Sequence, residues 1–131
     1  RPYHTIIPGM ATYAVDDSLY ASFGVMGGFM QPQGHLQVLV NMIIDELNPQ
    51  EALDQPRFCI TDGKSDGIVA LEEGISSQVM GELASMGHPI QPTSGMQRAI
   101  FGRGQIIQRD PNHGSYWAGS DMRADGLAMT I

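Results

Sequence analysis

The stretch that most narrows how this chain can fold is Gly24-Val25-Met26-Gly27-Gly28-Phe29-Met30, where a β-type run, Leu19 to Val25, meets a glycine pair and a strongly apolar helical segment follows. Strand, glycine turn and helix together make a site as well as a fold element. Paired glycines tolerate φ > 0 and leave no Cβ in the way of a bound group. Two successive N–H groups at such a turn can point at one spot and hold an anion or a developing oxyanion. The same turn also serves a plainer purpose, letting a strand and a helix pack closely.

Around this turn the chain reads as a succession of short elements. Met10 to Val15 and Leu19 to Val25 are β-type runs joined through Asp16-Asp17-Ser18, a hairpin signal. From Leu36 to Leu47, apolar residues at 36, 39, 40, 43, 44 and 47 follow the spacing of a helix face. Val38 and Met42 widen that face, and Gln33, Gln37, Asn41 and Asp45 mark a polar stripe. The expectation is a central helix buried on a sheet, with its amides satisfied internally. Asn48 is a good N-cap and Pro49 a good first residue for a short helix to Asp54. Arg57 is expected to clamp carbonyls or a carboxylate, with Asp54 as candidate partner.

Phe58 to Ile60 and Gly67 to Glu72 read as strands, and Ser76 or Ser77 caps a helix through about Met86 with Val79, Met80, Leu83 and Met86 facing inward. Gly87-His88-Pro89 ends it. Gln91 to Met96 reads as a loop. Strand-like stretches follow around Ala99 to Phe101 and Gln105 to Ile107, and then the turn Asp110 to Gly114 and a strand Tyr116 to Gly119. Ser120-Asp121-Met122-Arg123 suits a salt-bridged loop, and Gly126 to Ile131 reads as a closing strand. The order is mixed α+β with hairpins and no regular βαβ alternation. With no repeat, linker or low-complexity tract, residues 1–131 are expected to form one domain.

Composition excludes several function classes. Fourteen acidic against seven basic residues, a formal charge of −7, argue against phosphate-backbone binding and so against a nucleic-acid partner. His4, His35, His88 and His113 lie far apart and none sits in a Cys/His ligand spacing, so no metal site is expected. Cys59 is alone between Phe58 and Ile60 and reads as a buried small hydrophobe. No apolar run approaches the ~20 residues of a membrane helix. Nothing at the start is laid out like a signal peptide. Arg1 reads like an internal position, so any export signal would lie upstream, and the compartment stays open between cytoplasm and periplasm or secretion. Charged residues are few, 16% of the chain, which suggests a surface covered by something else.

Four blocks carry a family resemblance: Gly27-Gly28, then Gln31-Pro32-Gln33-Gly34-His35-Leu36-Gln37 leading to Asn41, the run from Asn48 to Phe58, and Gly119-Ser120-Asp121-Met122-Arg123-Ala124-Asp125-Gly126. In that order they resemble the C-terminal part of the γ-glutamyltransferases. The last block is similar to the family's Ser-Asp-Pro-Arg-x-Asp-Gly ending. The resemblance implies half of an α/β/β/α sandwich of the N-terminal-nucleophile hydrolases, whose new N-terminal Thr attacks a γ-glutamyl amide with its own amine as base. It implies glutathione as usual donor and neither metal nor organic cofactor.

It also implies that the Gly27 and Gly28 N–H groups form the oxyanion hole, although Val25-Met26 stands where the family has Ser-Pro. The family's Arg-Pro-x-Ser-Ser-Met-Ser-Pro aligns on Arg1, Pro2 and Pro8, which places His4 and Thr5 at the serines implied to bind the substrate α-carboxylate. Thr5 keeps a hydroxyl donor, while His4 could donate as a protonated imidazole. On the residues alone, His4 and Thr5 equally read as the end of an edge strand. The family's Thr-Thr-His-type nucleophile motif occurs nowhere among Thr5, Thr12, Thr61, Thr93 and Thr130.

Three readings follow. The chain is a C-terminal piece of such an enzyme, inert by itself, whose partners are a γ-glutamyl substrate and the missing N-terminal part of the same precursor. Or it is a catalytically dead relative that serves as a binding module. Or it belongs to a related acylase or poly-γ-glutamate hydrolase. A half-sandwich is also expected to self-associate.

Overall fold

The structure, a computed structural model, describes residues 5–129. Its elements are β1 (Gly9–Thr12), β2 (Leu19–Met26), α1 (Met30–Ile43), α2 (Pro49–Asp54), β3 (Phe58–Ile60), β4 (Val69–Glu72), α3 (Ser77–Ser85), β5 (Ile90–Thr93), a 3-10 helix (Gly95–Phe101), β6 (Arg103–Arg109) and β7 (Tyr116–Ser120). Four strands make an antiparallel sheet in the order β1-β2-β6-β7. The other three form a sheet β3-β4-β5, antiparallel at β3 and parallel at β5. The expected mixed α+β class is what the chain adopts.

The first hairpin forms around Asp17 at φ 58, with the Asp16 carboxylate accepting the Ser18 N–H. Asn48 caps α2 in a full capping box with Glu51. The main correction concerns α1. It begins at Met30 rather than Leu36, because Pro32 falls in the first turn, where no N–H has an intrahelical partner. Its buried row is Met30, Gly34, Val38 and Met42, each four residues on from the last. Gly34 makes this row possible: a Cβ there would lie 2.6 Å from Val25 Cγ1 on β2. Of the face expected to point inward, Leu39 and Leu47 pack against the core beside Val38 and Met42, whereas Leu36 60%, Val40 41%, Ile43 54% and Ile44 71% are exposed.

The polar stripe behaves as expected, through an unforeseen device. Gln33 accepts the Ile60 N–H and donates to the Ile60 carbonyl, and Gln37 does the same for Phe58. The two amides thus line the edge of β3 like a neighbouring strand. Gln37→Glu is expected to destabilise the chain by about 1–3 kcal/mol at pH 7, since a carboxylate would face the Phe58 carbonyl with no proton to donate. The deficit relative to the parent should shrink below about pH 4, where a protonated Glu can donate again. Urea unfolding of both proteins at pH 7 and pH 3.5 reads this, and an equal deficit at both would contradict it.

Four other expectations need correcting. Gln91–Met96 is not all loop, since Ile90–Thr93 pairs in parallel with β4 through α3. Pro92 hid this strand, yet it is tolerated because β5 is an edge. Ala99 to Phe101 is helical rather than extended, closed by Gly102 at φ 74. In α3, capped by Ser76, no residue is buried, and Val79 and Met86 are exposed. Residues 126–129 form no strand, while Thr130 and Ile131 lie outside the described residues.

One core cluster joins Ala21, Phe23, Val25 and Ile106 of the larger sheet to Val38, Met42, Ala52 and Leu53 of the helices. A second joins Met30, Cys59, Ala70 and Phe101. The opposite face of the larger sheet carries the cross-strand row Met10–Ser22–Ile107–Ala118, all exposed. Among the described residues, no helix is long and apolar enough to cross a membrane.

Candidate active site

The glycine turn directs its carbonyls and its amides to different uses. Gly27 sits at φ 142 and Gly28 at φ 60, conformations that side chains rarely adopt. Their carbonyls accept the Met30 and Gln31 N–H groups and so start α1. Among the described residues, neither the Gly27 nor the Gly28 amide donates to a backbone carbonyl. Both residues are exposed. The result is a pair of uncommitted donors at the positive end of a 14-residue helix, a setting that favours negative charge.

Gln31 brings the second predicted element to this place. Its side chain donates to the Thr5 carbonyl at 2.8 Å and accepts the Ile7 N–H at 3.3 Å, while its backbone N–H bonds Gly28. Thr5 is therefore tied to the first turn of α1, beside the glycine pair, and it is exposed. Nothing in the sequence singled out Gln31 for this. His4 lies outside the described residues. His35, in the same block, packs edge-on against Phe23 with ring centroids 5.5 Å apart, and burial lowers its pKa.

Beneath the turn is a buried ionic cluster. Arg57 is a clamp, as expected, but its carboxylate is Asp121 and not Asp54: Arg57 Nη2 donates to Asp121 Oδ2 at 2.7 Å and to the Leu53 carbonyl, and Nη1 donates to the Phe101 carbonyl. Asp54 is exposed and accepts from Gln50 instead, so it makes the poorer partner for a buried cation. The salt-bridged loop forms, since Arg123 bonds both Asp121 and Glu72. Glu72 is the member that sequence reading missed. It is fully buried and accepts from the Arg57 N–H, Arg98 Nε, and Arg123 Nε and Nη2. Burial pushes the Glu72 carboxyl up, but the bonds from Arg123 and Arg98 outweigh it and leave it below its ordinary value. At Asp121 burial is likewise overcome, chiefly by Arg57, and the net shift is downward. Arg57 is lowered by burial, with Asp121 opposing.

An open apolar groove of about 790 Å³ lies between α3 and the smaller sheet, lined by Ile60, Val69, Leu71, Val79, Leu83 and Pro89 among others. Among the described residues, no group of three or more His, Cys, Asp or Glu side chains could hold a metal ion.

This mixed α+β unit, with a strand that passes through a glycine pair into a helix start, has the fold of the solved acylase and gamma-glutamyltranspeptidase structures it matches. The family profile described as gamma-glutamyltranspeptidase matches residues 1–131, and the chain belongs to that family. It is 28% identical over 130 residues to the oxamate amidohydrolase proenzyme of Klebsiella pneumoniae, covering 98% of this chain and 24% of that protein. It is 26% identical over 133 residues to the glutathione hydrolase-like YwrD proenzyme of Bacillus subtilis, covering 100% of this chain and 25% of that protein. The solved cephalosporin acylase of Bacillus halodurans matches with a TM-score of 0.83 at 46% identity, over 95% of this chain and 22% of that one. Gamma-glutamyltranspeptidase from Pseudomonas nitroreducens shares the fold at a TM-score of 0.79 and 21% identity, over 100% of this chain and 64% of that one. The chain thus spans about a quarter of the length of the curated relatives it matches.

Proposed function

We propose that this chain is the C-terminal portion of an amide-cleaving enzyme matured from a proenzyme, in which the Gly27 and Gly28 N–H groups form the oxyanion hole. The observation that carries the reading is the division of labour at the turn, with both carbonyls committed to α1 and neither amide donating to a backbone carbonyl among the described residues. An N-terminal Thr from the rest of the precursor supplies the hydroxyl. Its oxygen attacks the amide carbonyl, the oxyanion settles on the two N–H groups, and the amine leaves with a proton carried by the Thr α-amine. Water or an amine then releases the acyl group. An oxyanion donor of this kind is worth about 10²–10³ in kcat. Thr5 meets the substrate carboxylate, and by its place next to Thr5 in sequence His4 is the second residue assigned to that role.

The acyl donor is a γ-glutamyl compound such as glutathione. A second reading, a related acylase with a different acyl donor, draws support from the 46% identity to the cephalosporin acylase and from Val25-Met26 ahead of the glycines. Initial rates of the processed parent enzyme on a γ-glutamyl anilide and on an acylated cephalosporin separate the two. The Gly27 and Gly28 amide protons are expected to move downfield when a boronic acid analogue of the acyl group is bound, and unmoved resonances reject the oxyanion role. The isolated chain is expected to give no turnover, and activity that copurifies with it would overturn that.

The open sheet face and the open flank of α1 support docking to the rest of the precursor. They also support self-association of the isolated chain. Light scattering at high micromolar concentration should show species larger than the monomer, and a strict monomer would defeat this expectation.

A further inference from the structure

We infer that the buried Arg57–Asp121 pair is the positioning device of the Gly27–Gly28 turn, acting through the backbone of residues 101–104. The inference rests on the glycine pair being the oxyanion site. Arg57 Nη1 donates to the Phe101 carbonyl at 3.0 Å, Nη2 donates to Asp121 Oδ2 at 2.7 Å, and that oxygen also accepts the Gly104 N–H at 2.7 Å. The pair therefore grips both ends of the segment from Phe101 to Gly104. Both side chains are almost wholly buried, so little solvent competes with these bonds.

What the grip holds is Gly102, at φ 74. A Cβ on Gly102 would run into the Met26 carbonyl oxygen, and a Cβ on Gly27 would lie 3.2 Å from the Gly102 Cα. Arg103 also faces Met26 across the β2–β6 ladder. The backbone at residues 102 and 103 is thus the wall on which β2 rests as it enters the turn. The Met26 carbonyl and the Gly27 N–H belong to one rigid peptide plane. Contact at that carbonyl fixes the direction of the first oxyanion donor.

An ion pair suits this task better than its stability would suggest. Buried pairs are often no more stabilising than apolar residues of similar volume, but bonds of fixed length and direction hold a geometry that apolar packing does not. The two roles can therefore be separated.

The test uses the full-length parent enzyme carrying Arg57→Met with Asp121→Leu, and a second variant, Gly102→Ala, that leaves the pair intact. For both, kcat is expected to fall about 10- to 100-fold with KM unchanged, because the lost alignment matters only when the oxyanion forms. Arg57→Lys keeps the charge but not the two-sided grip, and it should restore little. The Gly27 amide resonance, read in the precursor and in the processed enzyme, should move in every variant. If Gly27 stays in place in Gly102→Ala, or in a folded double variant, the inference falls. If Gly27 moves but kcat holds, the positioning stands and the oxyanion role of the glycine pair is what fails.

Discussion

Glu72→Ala is expected to cost about 3–5 kcal/mol of folding stability, because it leaves the buried Arg57 and Arg123 with a single buried carboxylate, Asp121, between them. Glu72 accepts bonds from Arg123 at 2.6 and 2.7 Å, from Arg98 at 2.7 Å and from the Arg57 N–H at 2.8 Å. The neighbouring Glu73 pairs with Arg98 near the surface, and Glu73→Ala should cost under about 1 kcal/mol. The same cluster sets the response to acid. Glu72 and Asp121 both have folded pKa values below their ordinary values of 4.5 and 3.8. Their stabilisation is therefore complete above those values and is lost as pH falls below them through the folded ones. Urea midpoints measured from pH 7 to pH 2.5 should drop in that acid range, with a shallower fall in Glu72→Ala. A parent midpoint that stays flat there would contradict the cluster's role.

Phe101→Ala should cost a similar amount, about 3–5 kcal/mol, by leaving a cavity against Met30, Cys59 and Ala70. Phe101 is fully buried, whereas Phe29, beside the glycine pair, is 67% exposed. Phe29→Ala is expected to cost under about 1 kcal/mol. Thermal melts of the two variants read the difference, and equal losses would mean that the smaller core cluster is loosely packed.

The sequence made the turn legible because glycine pairs, caps and prolines act locally. Gly27-Gly28, Asn48-Pro49 and Asp16 to Ser18 each bias their own backbone, whatever surrounds them. What escaped depended on distant partners. Periodicity marked Leu36, Val40 and Ile43 as apolar and pointed to burial, but the described residues leave that flank largely exposed. Pro92 argued against a strand locally, and its position on a sheet edge decided otherwise. Glu72 looked like the end of a strand, and only the fold brings Arg98 and Arg123 to it. At the candidate site the glycine pair was visible in advance as a turn, while Gln31, which ties Thr5 to the start of α1, does so through a contact 26 residues away.

The paired glutamine amides decide how this chain can grow. Gln33 and Gln37 occupy the hydrogen-bonding edge of β3, and Gln50 occupies both backbone groups of Ser120 at the end of β7. Pro92 withholds a donor on β5. Fibres extend when an incoming strand finds bare N–H and C=O groups to copy, and at these places it would find them taken. Neutral amides do not titrate, so the protection survives acid that dissolves the ionic cluster. An acid-loosened chain should then clump through its faces and leave cross-β growth at these edges unseeded.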